Sequence, residues 1–229
     1  MNRLFKLMAF AAILFSVSAT LQSCDLDNDD NKLIIDPIER PNALVTFKTD
    51  STTGAFFMQL NDSVTLVDKN ITKSPYGDKE VRGLISFVPV DKNETGLRRQ
   101  IHLIMVFDSI RIKPMSPVVP DLQKAYGNDP VEIVNDWTTV CEDGYLTLRF
   151  RTYFGGVKPH VLRLVRTGDY EVTLYHDAGN DVRGRLYDGW IAFRLNDLPD
   201  TGGNYKDLTL KWTSFSGEKS VTFKYKTRK

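Results

Sequence analysis

The sequence predicts an all-β protein behind a cleaved export leader, and three observations carry that expectation. Apolar residues recur at every second position in many short runs rich in Val, Ile, Phe and Tyr. Clusters of Gly, Asn, Asp and Ser separate those runs at short spacing. After the leader no segment sustains a helical period. The chain has 229 residues, 41% of them hydrophobic and 11% aromatic, enough for one or two cores.

The leader is read first. Arg3 and Lys6 form a basic opening, Leu7 to Val17 an apolar core, and Leu21-Gln22-Ser23-Cys24 a small-residue cleavage site directly before a cysteine. This is the layout of a lipoprotein signal, in which residues 1–23 are removed and Cys24 takes acyl chains. Eleven apolar residues rise about 16 Å as a helix, half of the ~30 Å hydrocarbon core, so a permanent span does not fit. A signal cut before an ordinary free cysteine is the remaining alternative. Each buried methylene adds about 0.8 kcal/mol, so two or three chains on Cys24 would hold the protein firmly on a membrane. The expected address is the outer membrane, lipid-anchored, with the surface and periplasmic faces both left open. Residues 24–41 begin with the acidic run Asp25-Leu26-Asp27-Asn28-Asp29-Asp30 and read as a flexible tether, too poor in apolar residues to fold. Acidic residues just after the lipidated cysteine resemble the surface-export signal of Bacteroidetes-type lipoproteins.

Charge and cysteine usage narrow the classes. The full chain has 30 basic and 29 acidic side chains, and two of the basic ones leave with the leader; the mature chain then has 28 against 29. That balance lacks the basic footprint of a nucleic-acid binder. With Cys24 lipidated, Cys141 has no intrachain partner and reads as an inert buried thiol in a strand-like run.

The elements follow in order. Leu44–Phe47, Ala55–Leu60, Val64–Val67, Val81–Val90 and Gln100–Ile112 are five strands in about 70 residues, which suggests a small closed or nearly closed barrel over 42–113. Closure would also hide the edges of these apolar runs. Pro114, Pro117, Pro120 and Pro130 then mark residues 114–130 as a connector, because proline cannot donate to a ladder. Within it Asp121–Tyr126 is expected to make one helical turn, ended by Gly127. Residues 131–229 alternate cleanly, as in Leu146, Leu148 and Phe150 against Thr147, Arg149 and Arg151. With Ile133–Val140 and His160–Val165 added, seven strands predict two antiparallel sheets packed face to face.

Several stretches are similar to the NigD-like lipoproteins. They are Lys73–Arg82, Tyr126–Ile133 leading into Asp136-Trp137, Glu142–Arg151, Asp188–Leu195 and Leu208–Lys219. The resemblance spans nearly the whole mature chain and implies an N-terminal OB-type barrel followed by a β-sandwich, on a lipid anchor. The family's name comes from a bacteriocin-associated operon and brings no biochemical activity, so no catalytic or binding residue carries over.

Candidate chemistry is sparse. An OB-type barrel could bind single strands with Arg98-Arg99 and Phe56, Phe57, Phe87 and Phe107, but core packing explains the rings better and no nucleic acid is expected. His102, His160 and His176 are far apart in sequence and lack short-spaced ligand pairs, so neither a metal nor any other cofactor is expected. His176-Asp177 reads as a turn-capping pair. Ser86, Ser109 and Ser216-Gly217 do not select a triad, and no enzyme activity is expected. Tyr76 at one loop tip, and Tyr153-Phe154 beside Gly155-Gly156 at another, are candidate binding loops for an envelope protein or glycan partner. Ser51, Ser63 and Ser109, each after an Asp, fit a short O-glycosylation acceptor pattern. The expected role is a non-enzymatic binding protein of the envelope; the alternatives are a bacteriocin-associated accessory or immunity-type lipoprotein and a cryptic hydrolase.

Overall fold

The structure is a computed structural model and describes residues 40–156 and 158–228. Cys24 and the acidic tether lie outside the described residues. Fourteen strands and one short helix are seen among them.

Five strands close a barrel: β1 (Ala43–Thr49), β2 (Phe56–Gln59), β3 (Thr65–Val67), β4 (Val81–Pro89) and β5 (Arg98–Ile110), in the order β1-β2-β3-β5-β4, with β4 returning to β1. All neighbours are antiparallel except β3 and β5. Period-two alternation turns Val45, Phe47, Met58, Leu66 and Ile85 into the barrel, where all are buried. Leu44 and Thr46 on β1 alternate with them yet are buried too, because that outer face lies against the rest of the chain. Gly83 on β4 is a close-approach position. A Cβ there would stand 2.8 Å from the Phe47 ring and 3.0 Å from the Asp108 carbonyl.

The rest is a sandwich. One sheet runs β6 (Ile112–Pro114), β12 (Arg185–Arg194), β9 (Tyr145–Phe154) and β7 (Glu132–Ile133), with β8 (Val140–Glu142) also on β9. The other runs β10 (Val161–Gly168), β11 (Glu171–Asp177), β13 (Lys206–Ser214) and β14 (Gly217–Tyr225). Between them Leu146, Leu148, Leu164, Val172, Phe193 and Leu210 form the core. The helix α1 (Leu122–Tyr126) forms where expected: the Asp121 side chain accepts from Lys124 N, and Gly127 ends it at φ +79°.

Three expectations are corrected. The sheets are mixed, since β11 pairs with β13 and β6 with β12 in parallel. Ile133–Val140 is not one strand: Asp136 accepts from Thr138 N and Thr138 Oγ1, and that turn splits the run into β7 and β8. Ile112–Pro114 straddles the expected end of the barrel but joins the sandwich as an edge strand, where Pro114 forfeits no ladder bond it needs.

Barrel and sandwich share a third cluster, Leu44, Leu84 and Ile110 against Ala192, with Trp190 and Val140 packed on it. Arg82 of β4 is wholly buried at this seam. Its Nη1 donates to Thr46 Oγ1 (2.9 Å) and its Nε to Thr147 Oγ1 (3.3 Å), while its guanidinium lies 5.5 Å from the Tyr145 ring centre. Burial pushes this guanidinium down from its ordinary pKa, and the charges of Asp143 and Glu142 oppose that. Around the rim the Tyr145 hydroxyl donates to Glu80 (2.6 Å), Lys48 pairs with Asp143 (2.6 Å), and Asp62 accepts from Asp143 N (2.7 Å).

Candidate functional site

Four exposed aromatic side chains of the sandwich lie at one end of the β9–β12 pair, while Trp137 and Tyr205 are exposed elsewhere on it. The register sets Thr152 opposite Tyr187, Tyr153 opposite Leu186 and Phe154 opposite Arg185. The pair therefore runs past the core and carries its apolar pattern into solvent. Tyr153 is 43% exposed, Phe154 39%, Tyr187 51% and Phe215 44%. Phe215 arrives from the other sheet, on the two-residue turn between β13 and β14. The rings touch edge to face. Tyr153 meets Phe215 at 5.3 Å and 64°, and Phe154 meets Tyr187 at 6.3 Å and 89°. Val182 and Leu186 are also exposed; alternation puts Tyr153 and Leu186 on the outward face with Arg151, and Phe154, Arg185 and Tyr187 on the opposite face of the ladder's end.

Beneath it lies a buried polar chain. His160 Nδ1 is 3.0 Å from His176 Nε2, His160 Nε2 is 3.1 Å from the Asp181 carbonyl, and His176 Nδ1 is 3.2 Å from the carbonyls of Asp129 and Pro130. Both ends of this chain are carbonyl oxygens, which only accept. A hydrogen on His176 Nδ1 satisfies the Asp129 and Pro130 carbonyls and leaves its Nε2 facing His160. The Asp181 carboxylate lies 3.8 Å from His160 Nε2 and accepts from Gly155 N at 2.9 Å. Burial first, and the neighbouring His160 second, hold the His176 pKa below its ordinary value. Since Phe154 sits edge-on to His160 at 5.1 Å, the histidine pair supports the aromatic end from below.

The two histidines far apart in sequence are thus brought into contact, which corrects the expectation of scattered residues. Sixteen residues separate them, and only the antiparallel pairing of β10 with β11 closes that gap. His176 is a core residue and not a cap; Asp177 does the capping, accepting from Gly179 N (2.9 Å). His102 is exposed on the barrel. Among the described residues no group of three or more His, Cys, Asp or Glu converges as a metal ligand set.

The other candidate residues separate. Tyr76 is half-buried, edge-on to Phe47 at 5.1 Å, so its ring closes the barrel mouth instead of standing free at a loop tip. Phe56 is in the barrel core, and Phe87 and Phe107 are packed against apolar clusters. Ser51, Ser63 and Ser109 are all exposed. Asp50, before Ser51, accepts from Thr52 N and Thr53 N and so acts as a turn former. Cys141 is free and buried, and burial raises its pKa far above that of a reactive thiol. Sequence reasoning missed Val182, Leu186, Tyr187 and Phe215. Alternation in β12 hinted at Tyr187, but only the register with β9 shows that it joins Phe154.

These features define an all-β protein in which a small barrel is fixed against a sandwich whose free end is aromatic. Residues 112–225 match the NigD-like C-terminal beta sandwich domain, and the chain belongs to the NigD-like family. No protein of curated function matches it. Among solved structures, a protein described as toxin-related from Parabacteroides distasonis is 25% identical with a TM-score of 0.64, the match covering 80% of this chain and 92% of that one. A protein of unknown function from Bacteroides vulgatus is 23% identical with a TM-score of 0.63, covering 81% and 90%. A NigD-like immunity protein from Bacteroides caccae is 18% identical with a TM-score of 0.52, covering 79% and 89%. The last two likenesses concern the fold.

Proposed function

We propose that the chain is a non-enzymatic envelope lipoprotein, held on the outer membrane through acyl chains on Cys24, that binds a partner with the aromatic end of its sandwich. The observation that carries the reading is the two exposed ring pairs at this end, Phe154 with Tyr187 and Tyr153 with Phe215. Monomeric proteins seldom leave apolar side chains gathered in solvent without a partner for them. The leader and lipobox support the address, and no helix among the described residues is long and apolar enough to cross a membrane.

The test is photo-crosslinking in intact cells from a probe at position 187, with the anchor preserved. A discrete adduct is expected from the wild-type background and its loss when Phe154 and Tyr153 are changed to Ser. Only diffuse labelling, equal in both, would sink the reading. The anchor is tested separately: Cys24→Ala is expected to abolish palmitate incorporation and release the protein from the membrane fraction. Continued partition with the membrane would refute it.

A second reading is a bacteriocin-associated accessory or immunity-type lipoprotein. The toxin-related protein at 25% identity favours it. Cells lacking the gene would then be more sensitive to a bacteriocin made by a neighbouring strain.

A further inference from the structure

We infer that the partner surface recognised at the aromatic end is a protein segment that combines apolar side chains with Asp or Glu. This rests on the binding role proposed above and specifies the chemistry of what is bound. Arg183 and Arg185 are exposed and make no ion pair among the described residues. Their backbone positions place them at the patch: Arg185 pairs with Phe154 in the β9–β12 ladder, and the Arg183 carbonyl lies against Gly155. Lys158 is exposed too, its stem against Gly179 at the turn that Asp177 caps. Other charges nearby are already engaged: Arg151 with Asp188, and Asp181 with the Gly155 amide and His160. Glu218, on the hairpin that carries Phe215, is the acidic residue on the far side. The patch is therefore an apolar centre with a cationic edge.

The rings also argue for protein over sugar. A sugar stacks on an open ring face and needs planar polar neighbours. Here Phe154 and Tyr187 stand at 89° to one another and Tyr153 and Phe215 at 64°, so neither pair offers two coplanar faces. Exposed aromatic side chains of this kind are usual anchors of a protein interface. The cations then favour acidic residues flanking the anchor, with a salt-dependent association rate.

The experiment is selection from a random 16-residue peptide display library against the full chain in detergent, counter-selected on the Phe154→Ser/Tyr187→Ser variant. Enriched peptides are expected to pair Leu, Ile or Phe with Asp or Glu, and to bind about tenfold more weakly to Arg183→Glu/Arg185→Glu or in high salt. Both variants are surface changes, and an unchanged thermal midpoint establishes that they are folded. If enriched peptides need Phe154 and Tyr187 but lack acidic residues and ignore charge reversal, the inference fails while the binding role stands. Patch-dependent binding to a glycan array, with no enriched peptide, likewise overturns the inference and leaves the binding role standing. If neither peptides nor glycans bind through the patch, both fall.

Discussion

His160 and His176 touch through a single hydrogen bond, and the carbonyls of Asp129 and Pro130 select the nitrogen of His176 that carries its proton. Nitrogen NMR is expected to show neutral His176 protonated at Nδ1, the nitrogen that faces the Asp129 and Pro130 carbonyls. A tautomer protonated at Nε2 would contradict it. The pH dependence follows from His176. Its folded pKa lies below the ordinary value, so the unfolded chain takes up a proton first as the solution is acidified. Its contribution is therefore present above about pH 6.5 and is lost as pH falls through the lower folded pKa. His176→Phe removes the partner of His160 Nδ1 and of the Asp129 and Pro130 carbonyls and should destabilise by about 1–3 kcal/mol in urea unfolding. Gly127 belongs to the same locality. A Cβ there would stand 2.6 Å from the His176 carbonyl on a backbone at φ +79°, so Gly127→Ala should lower the melting midpoint.

Strands β9 and β12 are the element that joins core, charge and patch in one ladder. Their outward residues form a row in which Asp188 accepts from Arg149 and Arg151, and Arg149 also pairs with Asp136. Its hydrogen bond from Arg151, followed by that from Arg149, pulls the Asp188 carboxyl down to about 2 against some desolvation. A depressed carboxyl stabilises the folded state above the ordinary Asp range and loses that contribution as pH falls from about 4 towards 2. The row is partly solvated, so Asp188→Asn should cost no more than about 1 kcal/mol at neutral pH and should flatten the acid limb of the stability curve. A larger neutral-pH loss would show that the row shapes the ladder itself. The alternation of Leu146 and Leu148 with Thr147 and Arg149 was readable along the chain, since period two is a local property. Which residue of β12 faces which of β9 was not, because register depends on a partner about 40 residues away.

Across the whole molecule the seam between barrel and sandwich rests on Arg82. Cutting it to Ala would leave the Thr46 and Thr147 hydroxyls unpaired beside a cavity, at a cost of about 2–5 kcal/mol. We expect Arg82→Ala to broaden or split the thermal transition as the two modules lose their coupling, and Arg82→Met, which keeps the volume, to lose much less. A single sharp transition at the wild-type midpoint in Arg82→Ala would show that the apolar contacts of Leu44, Leu84 and Ala192 suffice.

What the sequence determined by itself is local in origin. Turn chemistry and side-chain alternation specified most strands, the prolines a break between modules, and Asp121 with Gly127 the one short helix. Tyr153 and Phe154 were legible because they stand next to a glycine pair at a strand end. Only the tertiary structure decided that β6 joins the sandwich, that His160 meets His176, that Tyr76 turns into the barrel, and that Tyr187 and Phe215 complete the aromatic end. The reason is physical: a residue's own neighbours set whether it extends or turns, whereas what it touches depends on pairings the chain makes only by closing long loops.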